Sequence, residues 1–291
     1  MNYVGRIFRP PSEHASLLLQ VTVGCSHNRC AYCDMYRDKQ FRPKAADLIS
    51  ADIAEAKAAG PVFRRVFLCD GDAFILPTRK LLKLLEEIRR ELPWVERVGS
   101  YGDTRSVLRK SVAELTELRE AGLGIIYHGM ETGHDEVMKR IDKGGTAAEV
   151  AETGDRLKAA GITHSVIVLL GIGGLELSAE HASETATLLT RIDPQYVGAL
   201  TTTVVPNTPL AAAEASGEFV LPDRWQMLGE LRDIVRDVRL TDCRFSANHA
   251  SNYLPLTGTF PADQPAILGL LEQAIELRDD SLLKPEYLRG L

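Results

Sequence analysis

The sequence predicts an α/β fold: a partial TIM barrel of six β/α units, (β/α)6, with a helical C-terminal extension. Three observations lead there. Short β-rich runs alternate with helix-period patterns of about 10–15 residues, the signature of parallel βαβ units. The alternation repeats six times without a Gly-x-Gly-x-x-Gly fingerprint, which favours a barrel over a doubly wound sheet. The chain has 291 residues, 45% of them hydrophobic, enough for a substantial core.

The first β-rich run, residues 17–23 (LLLQVTV), leads through a cysteine-rich stretch to a helix pattern at 47–59 that Gly60 stops. Residues 65–69 (RVFLC) precede a helix at 78–92, where Leu81, Leu84, Leu85, Ile88 and Leu92 share one face and Pro93 ends it. Residues 98–101 lead into a helix at 111–121 ending at Gly122, and residues 125–130 into helices at 135–141 and 147–160 ending at Gly161. Residues 163–170 precede a helix at 178–192, and residues 196–205 form the sixth strand. Beyond Pro206, a helix at 223–238 aligns Trp225, Leu228, Leu231, Val235 and Val238; a Gly/Pro/Asn-containing loop follows at 248–261, then a helix at 264–277. Six units do not close an eight-strand ring, so residues 206–291 are read as an extension covering the open side of a core at 1–205, within one domain. No linker composition marks a boundary.

Function classes narrow next. The net charge is −6, with 34 Lys and Arg against 40 Asp and Glu, which argues against a broad phosphate-binding face and hence against a nucleic-acid partner. No apolar run approaches the roughly 20 residues needed to span a bilayer, and no signal sequence opens the chain, so the expected location is cytoplasmic, with no membrane partner. Three of the five cysteines, Cys25, Cys30 and Cys33, crowd into one stretch after the first strand, and an odd total argues against a disulfide framework. Three thiolates on a loop at the C-terminal end of a parallel strand point to metal. A zinc site would recruit a fourth donor, His27 being nearest; a [4Fe–4S] cluster would leave one iron open.

The stretch Gly24-Cys25-Ser26-His27-Asn28-Arg29-Cys30-Ala31-Tyr32-Cys33 resembles the radical S-adenosylmethionine (SAM) superfamily, in which three cysteines after the first strand of a partial (β/α)6 barrel hold the cluster and an aromatic residue, here Tyr32, precedes the third. The usual family spacing is Cys-x3-Cys-x2-Cys; here four residues separate Cys25 from Cys30. Over residues 17–205 further segments extend the resemblance. Asp70-Gly71-Asp72 stands where the family has a Gly-Gly-Glu-like turn for the SAM amino group, and Gly129-Met130-Glu131-Thr132-Gly133 is similar to the Gly-x-Glu-[Ser/Thr]-Gly segment whose Glu reaches SAM. Lys143-Gly144-Gly145-Thr146 resembles the Lys-Gly-x-Thr that follows it, with Thr146 also suited to capping the next helix, and Gly171-Ile172-Gly173-Gly174 the glycine-rich turn beside adenine.

The resemblance implies cluster ligands Cys25, Cys30 and Cys33, and SAM contacts from Tyr32, Asp70, Gly71, Asp72, Glu131 and Gly171. It implies that SAM chelates the open iron, that one electron breaks its C5′–S bond, and that the resulting 5′-deoxyadenosyl radical takes hydrogen from substrate. It also implies an electron donor of the flavodoxin, ferredoxin or reductase kind. The Glu131 and Lys143 segments are most like the anaerobic coproporphyrinogen-oxidase and Elp3 branch. Lacking a second cysteine cluster and a basic β-rich tail, the chain is expected to act on a small molecule. The rival readings are a non-catalytic iron–sulfur carrier and a zinc-stabilised barrel. For substrate choice the candidates are Tyr101, Arg105, His128, His164 and the polar run 248–253; Cys69 closes the second strand beside Asp70, and Cys243 has no context.

Overall fold

The computed structural model describes residues 1–290 and folds into two compact units. The first comprises Met1–Asn28, Met35–His128 and Asp155–His164; the second comprises Arg29–Asp34, Gly129–Gly154 and the chain from Ser165 onward.

The first unit holds β1 (Leu17–Gln20), β2 (Thr22–Val23), β3 (Arg42–Pro43), α1 (Ala46–Ala58), β4 (Arg65–Cys69), α2 (Thr78–Glu91), β5 (Arg97–Tyr101), α3 (Thr104–Leu108), α4 (Val112–Glu120) and most of β6 (Leu123–Glu131). β1, β4, β5 and β6 neighbour one another in that order, all parallel. One sheet face sends Leu19, Val66, Leu68, Val98 and Ile126 into a core with Ile53, Leu81, Leu85, Ile88, Leu115 and Leu118 from the helices. The alternate positions make a different cluster on the other face, with Phe67, Cys69, Ile125 and Tyr127 buried and Leu18 and Tyr101 against them. There the Phe67 ring meets Tyr101 and Tyr127 edge-on at 5.0 and 5.7 Å. Glu13, in the 3₁₀ turn Pro11–Glu13, is buried on that face; its carboxylate accepts the Tyr127 hydroxyl at 2.5 Å and pairs with Arg97.

The run 17–23, expected as one strand, breaks after Gln20: β2 pairs antiparallel with β3 instead. This small ribbon brackets the cysteine loop. The α4 start carries the Ser111/Glu114 capping box, which fixes where that helix begins.

The second unit continues through α5 (Asp135–Arg140), the start of α6 (Ala147–Ala159), β7 (Thr163–Leu170, entering at Ser165), α7 (Ser178–Ile192), β8 (Tyr196–Thr201), α8 (Pro209–Ser216), α9 (Arg224–Asp237), β9 (Cys243–Ala247), β10 (Leu256–Phe260) and α10 (Gln264–Leu277). β7, β8 and β9 are parallel neighbours, and β10 returns antiparallel to β9. Val166, Val168, Val197, Ala199 and Phe245 pack under Leu189 of α7, Leu231 and Val235 of α9, and Leu271 of α10. The mostly parallel sheet with surrounding helices is the α/β, partial-barrel class that the alternation predicts.

The extension is more than helical: β9 lies between the expected helix at 223–238 and the expected loop at 248–261, and β10 within that loop. Each strand has five residues, and β9 buries Cys243, Phe245 and Ala247 alone, too short a pattern for period-two alternation to stand out between Asn, Gly and Pro signals. α3 and α8, of five and eight residues, are likewise too short for a helical period to stand out. Among the described residues no helix is long and apolar enough to cross a membrane.

Phe245 stacks on Phe260 with centroids 4.8 Å apart and planes 13° off parallel, so the last hairpin belongs to the core of its unit. Phe245→Ala is expected to lower unfolding free energy by about 3–5 kcal/mol. Urea denaturation read by circular dichroism checks this; a loss under about 1 kcal/mol would show the hairpin to be peripheral.

Candidate functional site

In the first unit the site is organised by the turn that leaves β4. Asp70 has no solvent exposure, and its Oδ2 accepts from the Gln20 side-chain amide at 3.0 Å, the Gly24 backbone N–H at 2.7 Å and the Lys39 ammonium at 3.2 Å. The carboxylate thereby ties the end of β4 to the residue just before Cys25. Lys39 is itself buried and donates to the Arg6 carbonyl, so the cation is consumed by the loop's own architecture. Gly71 must be glycine: a Cβ there would fall 2.7 Å from Cys25 Cβ and 2.8 Å from the Tyr36 ring.

Asp72 differs from Asp70. Ser26, in the cysteine loop, donates its hydroxyl to Asp72 Oδ2 at 2.6 Å, whereas Oδ1 is buried with no hydrogen-bond partner among the described residues. Burial, with the nearby Asp103 charge, pushes its pKa up to about 7. Asp103 caps α3 by accepting the Ser106 N–H at 2.7 Å and also holds Arg105 at 2.6 Å. Cys25, Asp70, Gly71 and Asp72 are thus assembled together.

In the second unit the rest of the cysteine loop meets the strand end of β6. The Ala31 N–H donates to the Ile141 carbonyl at 2.7 Å, and the Leu210 N–H to the Ala31 carbonyl at 2.9 Å, so the segment between Cys30 and Cys33 is bonded on both sides. Tyr32 turns its hydroxyl to the Lys143 ammonium at 3.4 Å, and Lys143 pairs with Glu131 at 2.8 Å. Burial opposes the Lys143 charge, yet Glu131 and Tyr32 hold its pKa well above the ordinary lysine value. Burial, aided by the Glu131 charge, raises the Tyr32 pKa well above the usual phenol, and burial also raises that of the Cys30 thiol, against the pull of Lys143. Glu131 has φ +66°, a left-handed conformation uncommon outside glycine. Cys30, Tyr32, Cys33, Glu131 and Lys143 therefore form a second group. Gly171 ends β7 and is held separately, its N–H donated to Glu230 on α9.

The donor set suits an iron–sulfur cluster carrying an amino-acid-bearing nucleoside. Among the described residues no three His, Cys, Asp or Glu side chains converge as one metal ion requires, but in a [4Fe–4S] cluster each thiolate takes its own iron. Asp72 Oδ1, buried without a hydrogen-bond partner among the described residues, is an oxygen of the kind an ammonium pairs with.

Other candidates fall into place by their contacts. His128 and His164 are buried and stacked, with Nδ1 of the first 3.1 Å from Nε2 of the second and Thr104 on the far side at 3.0 Å. They act as hydrogen-bonded core histidines on the helix-facing side of β6. Cys69 is sealed against the Phe67 carbonyl, and Cys243 lies in the second unit's core. Thr146 accepts the Glu149 N–H at 3.3 Å, the expected cap of α6. The polar run 248–253 is anchored rather than free: Asn252 bonds the Ala199 carbonyl at 2.8 Å and the Thr201 N–H at 3.1 Å, and Arg289 lies over the Tyr253 ring at 4.0 Å. Glu230, His181, Lys39 and Ser26 join the site only through contacts distant in sequence. Glu230 had a legible signal, a carboxylate at a position three residues from Met227 and four from Ile234 on the buried stripe of α9.

Comparison with known proteins adds the following. The model of the radical SAM superfamily matches residues 19–189. The heme chaperone HemW of Bacillus subtilis (strain 168) is 24% identical over 221 residues, covering 72% of this chain and 56% of that protein. The solved coproporphyrinogen III oxidase HemN from Escherichia coli superposes with a TM-score of 0.55 at 14% identity, covering 76% of this chain and 51% of that one. The archaeal Elp3 of Methanocaldococcus infernus gives 0.53 at 13% identity, covering 91% and 63%. The branch that the Glu131 and Lys143 segments resemble is thus represented among structures with this fold. The chain spans little more than half the length of the curated relative it matches.

The two aspartates should respond oppositely to mutation. Asp70→Ala strands the buried Lys39 ammonium and is expected to cost about 3–5 kcal/mol of stability. Asp72→Asn is expected to gain on wild type as pH rises from about 4 to 7: the folded pKa, about 7, lies above the unfolded 3.8, so the wild type loses stability across that window. Chemical denaturation of both variants at pH 5 and pH 8 checks the pair.

Proposed function

The chain belongs to the radical SAM superfamily, and from that premise we propose that it is a radical SAM enzyme, acting in the cytoplasm on a small-molecule substrate with electrons from a flavodoxin-, ferredoxin- or reductase-type donor. The observation that supports this best is the junction in the second unit, where Tyr32, between two of the three cysteines, meets Lys143 at 3.4 Å and through it Glu131 at 2.8 Å.

In this reading Cys25, Cys30 and Cys33 are the ligands of a [4Fe–4S] cluster which, when bound, supplies the single electron that opens the C5′–S bond of SAM and yields a hydrogen-abstracting 5′-deoxyadenosyl radical. The protein binds, orients and shields. Asp72, with an oxygen to spare, takes the SAM ammonium; Gly71 lets the backbone approach; Asp70 acts by fixing the loop rather than by touching the ligand. Glu131 accepts ribose hydroxyls, and Lys143 pairs with Glu131 and aims it. Tyr32 covers the loop between Cys30 and Cys33, and the Gly171 turn lies beside adenine.

The rival is a protein that holds a cluster or cofactor without catalysis; the relative bearing the name heme chaperone keeps it in view. The two separate on one assay. After anaerobic reconstitution with iron and sulfide, SAM and dithionite should give 5′-deoxyadenosine, and Cys30→Ala should give none. Iron and sulfide bound stoichiometrically, with SAM neither bound nor cleaved, would sink the enzyme reading. Glu131→Gln, losing charge-assisted hydrogen bonds of about 1.5–3 kcal/mol, should raise the KM for SAM by about 10–100-fold.

A further inference from the structure

A buried carboxylate in the C-terminal part of the chain links two segments assigned above to SAM. Glu230, on α9, is 3% exposed. Its Oε1 accepts the Gly171 backbone N–H at 2.6 Å, and its Oε2 accepts the Ser178 hydroxyl at 2.6 Å. His181 of α7, wholly buried, places Nε2 3.3 Å from Glu230 Oε1 and Nδ1 2.7 Å from the hydroxyl of Thr132, the residue after Glu131. Thr185, one turn on, accepts the Gly133 N–H at 2.9 Å. The chain of contacts therefore runs from the glycine turn after β7, through α9 and α7, to the segment after β6.

Each end of this chain is poised where small displacements matter. Gly171 has φ +79°, and a Cβ there would come 2.9 Å from Met227, which sits one turn from Glu230 on the same helix. The turn is thus pressed against α9 and held by one hydrogen bond to its carboxylate. Thr132 follows a residue in a left-handed conformation, and its hydroxyl also receives the His134 N–H at 3.0 Å. A buried carboxylate that accepts a backbone N–H and a hydroxyl, with an imidazole nitrogen 3.3 Å away, is costly to desolvate, and its geometry is correspondingly unforgiving.

We infer that Glu230 and His181 are positioning residues, which never touch SAM but set the spacing between the Gly171 turn and the Glu131 carboxylate and so its affinity. The inference rests on the assignment of those two segments to SAM. Shifts near an ångström in groups that must jointly grip a ligand cost large factors in binding.

The test uses the reconstituted holoprotein and titrates SAM against the electron paramagnetic resonance signal of the reduced cluster. Glu230→Gln preserves size but removes the negative charge facing His181. It should leave iron content, melting temperature and the SAM-free spectrum unchanged, while raising the SAM concentration for half-conversion at least tenfold. The double variant Glu230→Gln/Glu131→Gln should then be no more than about threefold weaker than Glu131→Gln alone, since the first residue acts through the second. Thr132→Val, which removes a single hydroxyl, should shift the titration in the same direction and carries the test should Glu230→Gln fail to fold. A titration within twofold of wild type in a folded variant, or fully multiplicative effects in the double variant, overturns the positioning role alone. A wild type whose spectrum ignores SAM overturns the assignment of the site, and this inference with it.

Discussion

The Asp70 carboxylate is out of contact with water, and a charge so placed persists only because an ammonium, an amide and a backbone N–H converge on it. Those donors come from β1, from the start of the cysteine loop and from Lys39 beyond the last cysteine. One anion therefore fixes where the loop leaves the sheet, where it returns and how β4 ends beside it. Remove the anion and each donor becomes an unpaired buried group, so the loop has no cheap alternative conformation. The positions of Gly71, Asp72 and Cys25 follow from that closure.

A similar device recurs in the second unit, where Glu230 gathers Gly171, Ser178 and His181. Both carboxylates hold a backbone N–H just past the end of a strand, where the ladder has run out of partners and the chain must turn. Loops there carry chemistry in β/α folds because the sheet beneath them is rigid. Buried anions extend that rigidity one residue further, into glycine turns that have no side chain of their own to anchor them. In the same unit Lys143, a largely buried cation, pairs with Glu131 at 2.8 Å.

Much of this is legible in the sequence. The β/α alternation, the helix faces such as Leu81, Leu84, Leu85 and Ile88, and the cysteine loop with Tyr32 follow from local periodicity and spacing, and the structure has those elements near their expected bounds. What escaped were short pieces and long-range charge contacts. β9 and β10 carry too few residues for a period to emerge. Lys39 looks like any surface lysine until the fold closes over it. The polar run 248–253 is expected to help choose the substrate, yet Asn252 spends its amide on β8.

The division has a physical basis. Secondary structure and the cysteine motif are encoded over a few to a dozen residues, within which period and spacing are direct consequences of backbone geometry, so the sequence by itself determined the fold class, the thiolate loop and the carboxylates of Asp72 and Glu131. Which carboxylates are consumed by the scaffold and which keep an oxygen free depends on partners about 30 to 60 residues away, as Asp70 with Lys39 and Glu230 with Gly171 show. That choice is made by desolvation, and desolvation exists only once the chain has packed.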